Sequence, residues 1–130
     1  MRFLTRQDIE MLNEIAVKEY GGLYGIRDET LLEGAIARPQ NLYFYENVGI
    51  FDLASCYAFA IAKNHPFLDG NKRTAFLSMI QFLKDNNIFI KFQTKQAVDL
   101  MLDIATDKTT IKKVADFLRS LAGSNHPVEN

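Results

Sequence analysis

The centre of the fold is predicted by residues 51–64, which read FDLASCYAFAIAKN. This run is apolar on nearly every side of a helix, a pattern typical of the middle helix of a bundle. Pro66 and Gly70 interrupt it, and a second helix is predicted from about Lys72. The apolar positions of that second helix recur at helical spacing, at Phe76, Met79, Ile80 and Leu83. The sequence therefore predicts two central helices joined by a short break.

Helices are also predicted on both sides of this pair. Thr5 begins the first, and Asp28 caps the second, which is expected to stop before Pro39. Residues 40–50 contain Tyr43, Phe44, Tyr45, Val48 and Gly49, and favour a short β-like flap. Two further helices are expected to begin at Thr94 and at about residue 109, with Gly123 ending the last. The predicted fold is all-α, a bundle of about six helices with a flap before the central helix.

The overall composition fits one domain over residues 1–123, followed by a flexible tail over residues 124–130. Hydrophobic residues make up 48% and charged residues 24% of the 130 residues, as in ordinary globular proteins. The single cysteine excludes an intrachain disulfide, and the apolar run over residues 51–62 is too short to cross a membrane. A cytoplasmic location is expected. The net charge of -1 argues against direct DNA binding through many phosphate contacts.

The break between the central helices carries the chemistry of the chain. Residues 65–73 read HPFLDGNKR. Lys72 and Arg73 fall in the first turn of the next helix, where the helix dipole favours an anion, so a bound phosphate would explain them. Gly70 lets the backbone approach a ligand closely. Asp69 is a suitable oxygen ligand for Mg²⁺, and His65 is suited to act as a general base near neutral pH.

Each of these residues also has a simpler interpretation. His65 is a surface residue or cap if it acts alone. Asp69 can cap the following helix, and capping does not exclude metal binding. Lys72 and Arg73 can form a solvated helix face. The choice between these interpretations depends on the whole segment, in which five polar or charged side chains cluster between two buried helices without a packing reason.

The segment resembles the motif of the Fic/Doc family, His-x-Phe-x-(Asp/Glu)-(Gly/Ala)-Asn-(Gly/Lys)-Arg, at every defining position. The likeness extends over about residues 20–121, and residues 25–40, GIRDETLLEGAIARPQ, look like the upstream part of Doc-type, death-on-curing proteins. The resemblance implies an all-α fold whose loop joins two central helices.

The resemblance also implies a role for each matching residue. His65 would deprotonate a hydroxyl of a target protein, Phe67 would anchor the loop, and Asp69 would bind Mg²⁺. Gly70 and Asn71 would shape the turn that binds the nucleotide phosphates, with Asn71 also able to hydrogen-bond phosphate, and Lys72 and Arg73 would hold the phosphates. The predicted flap, with Tyr43, Phe44 and Tyr45, would position a target segment, although simple packing explains these three residues equally well.

The resemblance leaves two kinds of transfer open. Members of the family that transfer AMP carry Gly at the position of Lys72, whereas Doc-type members carry Lys. Lys72 therefore favours transfer of the γ-phosphate of ATP. The resemblance to Doc-type members implies that the acceptor is a threonine of elongation factor Tu and that the transfer arrests translation. Transfer of AMP to a hydroxyl of another target protein is the alternative. A catalytically inactive binding module is expected to lose His65, Asp69 or Arg73, and this chain keeps all three.

Control of the activity is predicted to come from a partner. AMP-transferring members often carry an inhibitory helix with Ser/Thr-x-x-x-Glu-(Gly/Asn), and no Glu in this sequence stands in that pattern. The resemblance to Doc-type toxins then implies a Phd-like antitoxin that inhibits the enzyme in trans.

Overall fold

A computed structural model describes the backbone of residues 1–125 and the side chains of residues 1–123. Six helices follow one another: α1 (Arg6–Tyr20), α2 (Glu29–Tyr45), α3 (Ile50–Asn64), α4 (Asn71–Asp85), α5 (Thr94–Ala105) and α6 (Ile111–Asn125). The all-α bundle of six helices is thus confirmed. No helix in the described part of the chain is long and apolar enough to cross a membrane.

The central helix of the bundle is α3. Every residue from Leu53 to Ala62 is buried, because α2, α4, α5 and α6 all pack against this helix. Alanine and serine occupy half of those ten positions, and small side chains let neighbouring helices approach α3 closely. The largest side chain of the run, Tyr57, packs against Phe82 of α4 with 5.0 Å between ring centroids. The apolar run of the sequence is therefore the axis around which the domain forms.

The first two helices each begin with a side chain that caps the backbone. The Thr5 side chain accepts a hydrogen bond from the Asp8 N–H, and the Asp8 carboxylate accepts one from the Thr5 N–H. Asp28 caps α2 by accepting from the Leu31 N–H at 2.9 Å. Both predicted helix starts are confirmed, and each satisfies backbone donors that a helix leaves without partners.

The prediction that α2 stops before Pro39, and that a β-like flap follows, was wrong. The helix continues through Pro39 to Tyr45, so Tyr43, Phe44 and Tyr45 form its last turn. A proline inside a helix costs roughly 3 kcal/mol, because it removes one hydrogen bond and crowds the preceding turn. Burial of Pro39 and the packing of Leu42 against the core outweigh that local preference. Only residues 46–49 separate α2 from α3.

The end of the chain also differs from the expectation. Gly123 does not terminate α6, which runs on to Asn125. The predicted tail began at residue 124, so its first two residues belong to the helix, and the rest of it lies outside the described residues. An isolated antiparallel bridge, Ile26 to Phe67, is the one β-type pairing within residues 1–125.

Replacement of Tyr57 tests the attachment of the N-terminal segment to the core. The buried Tyr57 hydroxyl accepts a hydrogen bond from the Leu4 N–H at 3.0 Å. We expect Tyr57→Phe to lower the free energy of unfolding by about 1–3 kcal/mol, because Leu4 is buried and its N–H would lose its partner. Urea denaturation at neutral pH measures the loss, and an unchanged midpoint would contradict it.

The difference in unfolding free energy between the wild type and Tyr57→Phe is also expected to depend on pH. Burial raises the pKa of the Tyr57 phenol from 10.0 to about 12. The neutral phenol is therefore favoured in the folded state, and its contribution is present below pH 10 and lost as the pH rises toward 12. We expect the stability difference between the wild type and Tyr57→Phe to shrink over that range. A difference that stays constant through it would count against the assignment.

Candidate active site

His65 lies directly after α3 and ends that helix. It adopts the left-handed conformation, with φ 49° and ψ 55°, while its N–H donates to the Ile61 carbonyl at 3.2 Å. This conformation turns the chain sharply out of the helix and leaves the His65 side chain exposed to solvent. An exposed imidazole at a fixed backbone position can accept a proton from a molecule that binds at the surface.

The loop after His65 is closed by Asn71. The Asn71 Oδ1 accepts from the Phe67 N–H, and its Nδ2 donates to the Phe67 carbonyl, both at 2.9 Å. Phe67 itself is 1% exposed and belongs to the hydrophobic core. The N–H and the carbonyl of Phe67 are thus both paired by the buried Asn71 side chain. Asn71 uses its amide to hold the loop closed, and the phosphate contact that was also expected of Asn71 stays a prediction.

Gly70 occupies the turn into α4. It has φ 76°, and a Cβ at this position would lie 3.3 Å from Val17 Cγ2 and 3.4 Å from Asn13 Nδ2. Gly70 stands at the N-cap of α4 without offering a side chain to the first N–H groups, and no acidic residue lies in that turn. These N–H groups therefore create a region of positive potential, which is suited to an anion.

Two cations flank that turn. Lys72 and Arg73 are both exposed. The Arg73 guanidinium stacks on the ring of Tyr20, with 3.2 Å from Cζ to the ring centroid, and this contact fixes the direction of the Arg73 side chain. Neither Lys72 nor Arg73 pairs with a carboxylate among the residues whose side chains are described. Their positive charges are available to a ligand.

Asp69 is held from two directions. Its Oδ2 accepts from the Leu23 N–H at 2.7 Å, and its carbonyl accepts from Asn13 Nδ2 at 2.9 Å. These bonds leave the other carboxylate oxygen without a hydrogen bond to a described residue. No group of three His, Cys, Asp or Glu side chains gathers in the described part of the chain. A Mg²⁺ held by Asp69 would take most of its other ligands from phosphate oxygens and water.

Asn13 supports the loop from α1 and was missed in the sequence analysis. It is fully buried, and its Nδ2 donates to both the Asp69 carbonyl and, at 3.1 Å, the Thr74 hydroxyl. Its position lies on the buried stripe of α1 beside Ile9, Ala16 and Val17. A lone amide on an otherwise apolar stripe is the signal that could have identified it, because a buried amide requires hydrogen-bonding partners.

The aromatic residues at the end of α2 are not brought to this loop. The start of α2 meets the end of α3, since Asn64 Nδ2 donates to the Leu31 carbonyl at 3.0 Å. Tyr43, Phe44 and Tyr45 therefore lie at the opposite end of α3 from His65, roughly 20 Å away by the rise of a helix. Tyr43 packs on Phe3, and Tyr45 is 84% exposed.

Tyr20, Leu23 and Tyr24 are instead exposed large side chains on the loop's own side of the molecule.

Comparisons with known proteins identify the family of this chain. The model of the Fic/DOC family matches residues 3–83. The chain is 35% identical over 125 residues to "Protein kinase doc" of Escherichia phage P1, a match that covers 95% of this chain and 98% of that protein. It is 32% identical over 126 residues to "Toxin Doc" of Mycolicibacterium smegmatis, covering 94% and 95% of the two chains. The chain belongs to the Fic/DOC family.

Two neighbouring glycines provide a test of how Asp69 is held. Gly21 and Gly22 both have positive φ, so alanine is strained at either position. A Cβ on Gly21 meets nothing within 4 Å, whereas a Cβ on Gly22 would lie 2.9 Å from the Cβ of Asp69. We expect Gly22→Ala to lose about 1–3 kcal/mol more unfolding free energy than Gly21→Ala, because only Gly22→Ala overpacks the loop. Urea denaturation of both variants measures the difference, and equal losses would show that Asp69 does not pack there.

Proposed function

We propose that this chain is a Doc-type toxin kinase, which transfers the γ-phosphate of ATP to a threonine of elongation factor Tu and so arrests translation. The observation that carries the proposal is the first turn of α4. Its free N–H groups, Lys72 and Arg73 form an anion site directly after Asp69, and His65 stands at the other end of the same short loop. The names of both relatives, a protein kinase and a toxin, support it. A cytosolic location follows from the proposal, since ATP and this target are found there.

The reaction would proceed by a single displacement. His65 accepts the proton of the threonine hydroxyl, and the oxygen forms a bond to the γ-phosphorus. The bond between that phosphorus and the oxygen bridging it to the β-phosphorus breaks, so ADP leaves with the electron pair. Phosphoryl transfer depends mainly on positioning and on neutralising charge, which are the tasks of Lys72, Arg73 and the α4 N–H groups.

A Mg²⁺ ion is proposed as the companion of the nucleotide. When bound, it would neutralise phosphate charge and help to orient the phosphates. Asp69 would hold it through the carboxylate oxygen that Leu23 leaves free. The Leu23 N–H fixes the rotation of the carboxylate, so that the oxygen available to the ion has a defined direction.

Inhibition by a Phd-like antitoxin is part of the same proposal. None of the side chains described over residues 1–123 is an acidic group paired with Lys72 or Arg73, so the anion site is open within the chain itself. A cell that makes an unrestrained toxin requires a second protein to control it. Growth arrest on expression of this chain, relieved by the antitoxin, is the expected cellular behaviour.

The direct test uses the purified chain, Mg²⁺, elongation factor Tu and ATP labelled at either the γ- or the α-phosphate. We expect label to reach the target from the γ position alone. Label arriving from the α position would instead establish AMP transfer, the alternative that the same loop allows. Label arriving from neither position would contradict the proposed donor and target together.

His65 provides the control for this assay. We expect His65→Ala to lower the rate about 10²- to 10⁴-fold, the usual contribution of a general base. His65 is exposed and its side chain makes no hydrogen bond with the described residues, so the variant should keep the wild-type melting temperature. A variant that is stable and still fully active would exclude His65 as the base.

A further inference from the structure

His65 directly follows α3, at the carboxyl end of the helix. The last carbonyls of a helix lack partners within the helix and need donors from elsewhere. His65 adopts a left-handed conformation there, which is costly for a residue with a Cβ because its side chain crowds its own backbone. Donors from outside α3 are therefore needed to pair these carbonyls and to stabilise the turn at His65.

One residue of the α1–α2 connection meets this need. The Arg27 guanidinium donates from Nε to the His65 carbonyl at 2.7 Å and from Nη2 to the Asn64 carbonyl at 3.0 Å. The Arg27 backbone N–H donates to the Pro66 carbonyl, also at 2.7 Å. Arg27 thereby pairs three consecutive carbonyls, one on each side of His65 and that of His65 itself.

The chemistry of arginine suits this position. Its planar guanidinium presents several donors in a fixed geometry, so it can bridge two carbonyls that a lysine ammonium would engage one at a time. Its positive charge also lies at the negative end of the α3 dipole. No ion pair links Arg27 to a carboxylate of residues 1–123, so its hydrogen bonds to these carbonyls are the interactions that its side chain makes there.

We propose that Arg27 is a positioning residue for His65. By fixing the peptide groups on both sides of His65, it sets the direction in which the imidazole leaves the backbone. The inference rests on the proposed function, in which His65 accepts the proton of the target hydroxyl. Arg27 acts through His65, since its guanidinium donates to the carbonyls of His65 and Asn64.

The placement of a base affects the chemical step more than it affects nucleotide binding. Proton transfer requires the acceptor to be within hydrogen-bonding reach of the hydroxyl. In the proposed function the phosphates are held by a different element, the first turn of α4, whereas the Arg27 guanidinium donates to carbonyls at the end of α3. Loss of Arg27 should therefore lower kcat and leave the KM for ATP nearly unchanged.

The test compares Arg27→Gln and Arg27→Lys with Arg2→Gln as the matched control. Arg2 loses the same charge, but it lies by Asn86 at the far end of α4. We expect Arg27→Gln to lower kcat about ten- to a hundredfold, the loss that a small displacement of a catalytic group causes. Arg27→Lys should fall between Arg27→Gln and the wild type, because it restores the charge and a single donor, and Arg2→Gln should match the wild type.

Melting temperatures of all variants are measured first, and the assays are run well below them. Wild-type kcat in Arg27→Gln, while His65→Ala is inactive, would overturn the positioning role and leave the kinase function intact. Full activity in His65→Ala would overturn the function itself. An equal rise in KM and fall in kcat would assign Arg27 to general loop integrity and also overturn the inference. If Arg27→Gln does not fold, the test relies on Arg27→Lys. A folded Arg27→Lys protein with wild-type kcat would then overturn the positioning role.

Discussion

The structure depends on the way in which the loop between α3 and α4 is held against the connection between α1 and α2. Backbone hydrogen bonds run in both directions: the Leu68 N–H donates to the Gly25 carbonyl at 2.9 Å, and the Arg27 N–H donates to the Pro66 carbonyl. Two irregular segments thereby satisfy one another without a sheet, as buried backbone groups require. Phe67, pointing into the core between them, ties this pairing to the helices.

This arrangement separates support from chemistry. The residues that hold the loop, Asn13, Phe67 and Asn71, are buried, and the two asparagine amides hydrogen-bond to the backbone of the loop. The residues proposed to act on a ligand, His65, Lys72 and Arg73, are exposed. Placing charged groups on a loop that the core has already fixed reduces the reorganisation needed when a nucleotide binds. It also leaves two cations at the positive end of α4, an unfavourable arrangement that an anion would relieve.

The sequence predicted the parts that depend on local pattern. The apolar run of α3 and the helix caps at Thr5 and Asp28 follow from periodicity and from the hydrogen bonds of short polar side chains. The continuation of α2 through Pro39 could not be predicted. Packing of α2 against α3 offsets the cost of a proline inside a helix, and that packing is not visible in the local sequence. Arg27 was missed for the same reason, since it lies about 40 residues from the carbonyls that its side chain pairs. Asn13 lies still farther from the Asp69 carbonyl, and only its place on the apolar stripe of α1 signals a role in the sequence.

The central claim is that the first turn of α4 holds the phosphates of ATP with the γ-phosphorus toward His65. The most direct measurement is a crystal structure of the His65→Ala protein with Mg²⁺ and ATP. The account predicts phosphate oxygens on the N–H groups of that turn, with Lys72 and Arg73 around them and the γ-phosphorus nearest to residue 65. A nucleotide bound elsewhere, or one with its α-phosphorus at that position, would contradict it.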